Sequence, residues 1–465
     1  MIIIKDEFII YIINCRFIAK LKPNIFLILI DSLRADKTFG QNKSSVTPNL
    51  DSFISEGTYF TNTFSASDHT GVSWLTILTG LFPINSKINA YNFNSGINSF
   101  VKFFKDNNYK TFCFFPDISF FNILKEQFDN SIIYDYSNRD LFLRLEGGLA
   151  KQIIEKNNSQ KSTGPWFNCI HLMDLKYPFV VPKEFNHEKF GKSRQDRNLS
   201  FIDKWLGEIL QSIDFKNSIV ILSSDHGDYL PVTDHDLGEI PTIQNFMRKG
   251  KKIFPRLEPT GIRMFEIMKK TAAGIRKKNL EKKLSELELR SFNDRNQDVL
   301  FDEIIHVPLI FVGKDIPKMK ISSLVRHVDI LPTVFSLIGL SYNESDFDGQ
   351  NLVPIMKGDQ TSDLIAYIES GPANEKLEGK VIGLRSLHYK YFRSRSNPNN
   401  MIHLYDLTED PLELHNIADV NIEIVQNMET KLQNFLKNDN DQKVDEITTE
   451  DRKKIEDELK KLGYI

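Results

Sequence analysis

The chain has 465 residues, more than one hydrophobic core usually holds, so a large domain with a smaller second lobe is expected. Hydrophobic residues at 41% and charged residues at 26% describe an ordinary globular chain, and a formal net charge of -3 excludes nucleic acid as a partner drawn by overall charge. Three cysteines, Cys15, Cys113 and Cys169, are too few and too widely spaced for a disulfide framework or a zinc motif, which points to a reducing, cytoplasmic setting.

The N-terminal stretch is apolar, but Lys5, Asp6 and Glu7 split it and leave only Phe8 to Ile13 uninterrupted. That run is too short for a transmembrane segment, and no small-residue cleavage site follows it. It is read as an extra strand or packing segment. Asn24 to Ile30 is a continuous apolar run of the kind buried on both faces of a parallel sheet, and it ends in Asp31. Thr47 to Gly57 carries helix start and stop signals, Thr-Pro and Gly. Phe60 to Phe64 reads as extended, and Ser73 to Leu78 as helix behind the polar cluster Asp68, His69, Thr70. Three more buried strands are predicted at Tyr109 to Pro116, Trp166 to Met173 and Ser218 to Asp225, with helical patterns such as Leu199 to Ile213 between them. Repeated strand–helix units predict an α/β sandwich with a large, mostly parallel central sheet.

Two regions depart from this pattern. Residues 248–283 hold 13 Lys or Arg against 3 Asp or Glu, with Ile262, Phe265, Met268 and Ile275 at helical spacing, and form a basic helical insertion of about 241–298. The ordinary reading of such a segment is a solvated helix; the functional one is an arm that contacts a glycan, a lipid head group or a membrane surface. Past residue 360 come a strand-like pair, at Ile365 to Glu369 and Val381 to Arg395, and two amphipathic helices at 420–436 and 449–462. A catalytic α/β domain over 1–360 and a smaller α+β lobe over 361–465 are therefore expected.

The chemistry lies at acidic strand ends. In a parallel sheet Asp31 and the Asp225-His226 pair of Ser223-Ser-Asp-His-Gly-Asp228 emerge at one edge, where ligands of such sheets gather. Two carboxylates and an imidazole converging there suit a divalent metal, which lowers the pKa of a nearby hydroxyl and polarises a phosphoryl or sulfuryl oxygen. Thr70, at the head of a helix, is the hydroxyl placed to profit, with Ser73 as the rival nucleophile. Thr70 also suits a helix N-cap, and the two roles can coexist.

These blocks occur in an order that resembles the sulfatase family of the alkaline-phosphatase superfamily. They run from PNIFLILIDSLRAD and TPNLDSFISEGTYFTNTFS through LTILTGLFP, HLMDLKYPF and SFIDKWLGEIL to SIVILSSDHGD, and on through HVPLIFVG, LVRHVDILPTVFSLIGL, DGQNLVPIMKG and LYDLTEDPLELHNIAD to LKKLGYI. The resemblance implies an alkaline-phosphatase-like fold. Many members carry a Cys or Ser, oxidised to formylglycine, in the motif C/S-x-P-x-R. Alignment on Leu78-Thr79-Gly80 puts Thr70 at that position, Val72 at the Pro and Trp74 at the Arg. Thr does not become formylglycine, so none is expected, and the resemblance turns toward members in which a Thr oxygen attacks phosphorus directly.

The resemblance further implies a metal set of Asp31, Thr70, Asp225 and His226, with Ser32 where the usual second acid stands. One ion, Mn, Mg, Zn or Ca, is therefore expected. It implies catalytic roles for Thr70 and His235, and substrate contacts from His171 and Lys176; a structural role for His171 stands beside that. His306, Arg326 and His327 are read as structural or supporting. The activity implied is a hydrolase or phosphotransferase acting on an anionic phosphate or sulfate ester, on a glycan or a lipid-linked substrate. The rivals are a sulfuric ester hydrolase working without formylglycine and a degenerate, non-catalytic binding protein.

Overall fold

The structure, a computed structural model, describes residues 22–40, 43–86, 100–136, 144–161, 163–176, 179–230, 284–294, 299–359, 364–371 and 380–437. The N-terminal packing segment, the basic stretch 248–283, His235 and the expected helix at 449–462 lie outside the described residues.

Eight strands build one sheet: β1 Asn24–Ile30, β2 Thr58–Phe64, β3 Lys110–Pro116, β4 Asn130–Tyr134, β5 Trp166–Leu172, β6 Ser218–Ser223, β7 His306–Gly313 and β8 Met319–Arg326, in the order β4-β3-β5-β1-β6-β7-β2-β8. Every neighbouring pair is parallel except those of β7, which runs antiparallel to both β6 and β2. The carboxyl ends of all the other strands therefore share one edge, and β7 contributes its start, His306, to it.

The unbroken apolar run of β1 follows from burial on both faces. Ile25, Leu27 and Leu29 face one core with Trp74, Phe104, Phe115, Phe167 and Phe335, whereas Phe26, Ile28 and Ile30 face another with Leu50, Phe53, Ile153, Leu199 and Leu206. Each such side chain contributes about 1.5–3 kcal/mol of burial. Helices α1 Pro48–Ser55, α2 Thr70–Thr79, α3 Ala150–Gln160 and α4 Arg194–Gln211 supply the covering faces. Helix α1 begins at Pro, as Thr47-Pro48 predicts, but the Thr47 side chain does not cap it. Its amide groups at Asn49 and Leu50 instead donate to the Asp203 carboxylate of α4, at 3.1 and 2.7 Å. Helix α4 carries its own capping box, Ser193 with Asp196.

A short helix, α5 Glu286–Asp294, precedes β7, and α6 Ile330–Leu337 follows β8. A second, antiparallel sheet, β9 Ala366–Glu369, β10 Val381–Arg385, β11 Tyr389–Ser394 and β12 His403–Asp406, is covered by α7 Ile422–Leu436. The extended pair expected over 365–395 is thus three strands, because the chain turns at Ser386, whose amide and hydroxyl both donate to Tyr389 O at 2.9 Å. The second sheet touches the active edge directly: Glu369 N donates to Ala66 O at 2.8 Å, in a parallel bridge between Ser67 and Glu369.

Candidate active site

The shared edge gathers the polar residues singled out above. Asp31 follows β1, Asp225 and His226 follow β6, His171 lies within β5 with Lys176 just beyond it, and the turn after β2 leads to Thr70. One ligand atom from each of Asp31, Asp225 and His226 lies within 4.8 Å of the others, and all three residues are buried.

The helix head is organised differently from the sequence expectation. His69 is the N-cap of α2, its Nδ1 accepting the Gly71 amide at 3.2 Å, and Thr70 is the first helical residue. Burial, together with the positive charges of His226 and Lys176, pushes the His69 imidazole down to about 3, so the ring is neutral and its nitrogen available as an acceptor. The capping role weighed for Thr70 therefore belongs to its neighbour. Thr70 Oγ1 lies 3.3 Å from His226 Nε2. Ser73, the rival nucleophile, is fully buried and donates its hydroxyl to Ser67 O at 3.1 Å.

His226 Nδ1 lies 2.6 Å from Gly227 O. A carbonyl only accepts, so Nδ1 carries a proton and it is Nε2 that faces Thr70 and the carboxylates, protonated in the charged ring and a lone pair for a metal once that proton leaves. Asp31 is held on both oxygens. Ser32 Oγ donates to Oδ1 at 2.6 Å, while Oδ2 faces His171 Nε2 and Lys176 Nζ, each at 3.4 Å. Burial raises the Asp31 carboxyl, but the Lys176 ammonium, the His171 contact and the charge of His226 outweigh it and hold the group well below the usual carboxylate range. Burial lowers His226, yet Asp225 and Asp31 outweigh that and raise it.

The donor set fits a divalent cation. Asp225 Oδ2 is buried without a hydrogen-bond partner among the described residues, and a buried carboxylate oxygen left so is costly unless a cation compensates it. Two carboxylates, one imidazole lone pair and the Thr70 hydroxyl are hard or borderline donors of the kind Mg, Mn, Ca and Zn accept.

Some of what builds the site escapes a motif reading. Ser32 adopts a left-handed backbone, φ 64, and from there its amide donates to Asp225 Oδ1 at 3.3 Å. This joins the two acidic strand ends. Ser224 Oγ accepts the Leu33 amide at 2.9 Å, and its signal was present in the doubled serine before Asp225. From the second sheet, the Gly371 amide donates to Asp68 Oδ1. A Cβ on Gly371 would come within 2.7 Å of His69 Cβ, so no side chain fits between the second sheet and the helix head. His171 is fully buried and turned to Asp31, whereas Lys176 keeps 15% of its side chain exposed at the edge. His306 Nε2 donates to Thr61 O at 2.7 Å and Arg326 pairs with Asp329 at 2.7 Å, as residues with supporting roles do. Among the described residues no helix is long and apolar enough to cross a membrane.

Known proteins share the family pattern and the fold. Arylsulfatase K of Xenopus laevis is 26% identical over 145 residues, 30% of this chain and 27% of that protein. The chain thus spans about a quarter of the length of that curated relative. Among solved structures, a putative sulfatase, yidJ, from Bacteroides fragilis superposes with a TM-score of 0.65 at 18% identity, covering 94% of this chain and 98% of that one. A phosphonate monoester hydrolase of Agrobacterium radiobacter gives 0.62 at 16% identity, covering 92% and 98%. At such identities the likeness is one of fold, which is alkaline-phosphatase-like. The N-sulphoglucosamine sulphohydrolase C-terminal family matches residues 288–441, which include the second sheet. With the Sulfatase family matching residues 23–340, from the first strand through the whole of the large sheet, the chain belongs to the sulfatase family.

Proposed function

We propose that the protein is a metal-dependent hydrolase or transferase of phosphate or sulfate esters in which Thr70 is the nucleophile. The observation that carries this reading is the meeting of Thr70 Oγ1 with His226 Nε2 at 3.3 Å, at a helix head beside Asp31 and Asp225. Asp31, Asp225 and His226, with Thr70, would hold the ion, which when bound lowers the pKa of a hydroxyl and polarises the ester oxygen.

The rest of the reaction belongs to the side chains. Thr70 gives up its hydroxyl proton, which reaches the leaving oxygen by way of solvent, and its oxygen attacks phosphorus or sulfur in line, so the bond to the leaving oxygen breaks as the bond to Oγ1 forms. Lys176, partly exposed at the edge, meets the negative oxygens of the substrate. His235, in the same role, stabilises the substrate oxygens. Water or an acceptor hydroxyl then displaces Thr70 and restores its proton, and the two inversions leave the centre with its original configuration. The Lys176 ammonium suits either a phosphodiester or a sulfate ester, each with one negative charge. The substrate class favoured is an anionic ester borne by a glycan or lipid head group.

Thr70→Ala is expected to abolish turnover, by at least about a thousandfold for loss of a nucleophile, while keeping most metal affinity. Thr70→Ser is expected to retain measurable activity, since only the methyl that restricts the rotamer is lost. A panel of aryl phosphate, phosphodiester and sulfate esters with Mn, Mg, Zn and Ca reads both the substrate class and the ion. Turnover by Thr70→Ala at the wild-type rate sinks the reading.

A further inference from the structure

Trp74 and His171 form a contact that neither the nucleophile nor the donor set uses. Trp74 Nε1 donates to His171 Nδ1 at 3.1 Å, and both side chains are fully buried. The indole edge meets the imidazole at 5.7 Å between centroids, with Phe121 at 4.9 Å from the same imidazole. The backbone is pinned as well, because Tyr134 Oη donates to His171 O at 2.7 Å and accepts the Met173 amide at 3.2 Å. The second imidazole nitrogen, Nε2, faces Asp31 Oδ2.

We infer that Trp74 is a positioning residue which fixes the His171 tautomer and, through it, the orientation of Asp31 toward the cation. An indole N–H donates and cannot accept, so His171 Nδ1 carries the lone pair and its single proton lies on Nε2. The proton therefore sits on the nitrogen that stands 3.4 Å from Asp31 Oδ2. Ser32 donates to Oδ1 and Lys176 to Oδ2, and His171 Nε2 adds a contact of 3.4 Å to Oδ2. Without the indole donor, Nδ1 is left as a buried unpaired acceptor or takes the proton itself. In the second case a lone pair faces the carboxylate, and Asp31 loses one of its orienting partners. This inference rests on the reading of Asp31 as a metal ligand.

The test uses the full-length protein. In the metal-free wild type, isotope-labelled imidazole nitrogens, with the His171 signal assigned by its loss in His171→Gln, should show protonated Nε2 and bare Nδ1. Trp74→Phe keeps an aromatic ring against Phe115 and Phe121 and should shift that tautomer while weakening Mn binding about tenfold or more, the usual effect of losing a partner of a metal ligand. In a His171→Leu background the same substitution should cost no further metal affinity, which a packing defect would not reproduce. If Trp74→Phe does not fold, the His171 variants decide. His171→Gln, whose amide can still donate toward Asp31, should bind Mn about tenfold tighter than His171→Leu.

A wild-type tautomer with Nδ1 protonated, unchanged Mn affinity in Trp74→Phe, additive effects in the double variant, or equal affinities of the two His171 variants overturns the role of Trp74 and leaves the metal reading standing. Failure of the wild type to bind any divalent ion overturns the metal reading itself.

Discussion

At the scale of single residues, the proposed centre concentrates buried charge with little direct compensation. Asp225 Oδ2 lacks a hydrogen-bond donor among the described residues, and Asp31 is held down by Lys176 and His171 only at 3.4 Å. Asp225→Asn removes one of the two carboxylates and His226→Ala the imidazole, and either is expected to lower divalent-metal affinity at least about a hundredfold and to abolish activity. The fold should survive, because the strands that carry these residues are packed by apolar side chains on both faces. Metal content and far-ultraviolet circular dichroism of the purified variants check both halves of the statement. Unchanged metal content would remove these residues from the proposed ligand set.

At the scale of elements, the second sheet and its helix are joined by one dense polar contact. Glu429 of α7 accepts from Arg393 at 2.8 and 3.0 Å, from Tyr391 at 2.7 Å and from Gln433 at 2.6 Å. Burial raises this carboxyl, but the hydrogen bonds of Arg393, Gln433 and Tyr391 outweigh it and bring it from 4.5 down to about 2. A carboxyl lowered on folding contributes stability that is fully present above its unfolded value and is lost as the pH falls toward the folded one. Glu429→Gln is therefore expected to cost about 1 kcal/mol at neutral pH, since solvent screens this partly exposed carboxylate, and the gap to wild type should narrow between pH 4.5 and about 2. Denaturation midpoints measured across that window test it. A gap that stays constant would show that the carboxylate charge is not what holds α7.

At the scale of the whole molecule, buried charge joins the large sheet to the small one. Lys390 of β11 is fully buried and pairs with Asp302, just before β7, and with Glu413 at 2.6 Å, while Arg385 of β10 reaches Asp302 at 3.0 Å. The Asp302 amide also donates to Glu413 at 2.6 Å. Removing one member leaves the others charged in a dry interface. Lys390→Met is thus expected to destabilise the protein by about 3–5 kcal/mol, with the second sheet loosening first, as hydrogen exchange along β9 to β12 would report. Protection of that sheet equal to wild type would show the network to be dispensable. The same joint holds Glu369 and Gly371 against the head of α2, so loosening it should also lower activity.

Much of the architecture was legible along the chain. A six-residue apolar run ending in Asp31, and another ending in Ser-Ser-Asp-His-Gly-Asp, are local statements: a strand buried on both faces has to be apolar throughout, and an acid that ends it must lie at the sheet edge. The antiparallel course of β7 was not legible, because a fully buried strand reads alike in either direction. The helix cap shows the same limit one residue at a time. Thr70 and His69 are both able to cap, and the fold gives that place to His69, where the backbone is still extended at φ -120 and ψ 127, while Thr70 already turns into the helix. Trp74 and His171 stand 97 residues apart, and Gly371 and Asp68 are 303 apart. The sequence determined which residue types end at the active edge. Which of them touch was decided by the order β5-β1-β6 and by the docking of the second sheet, since a hydrogen bond between distant residues forms only after burial has fixed the distances around it.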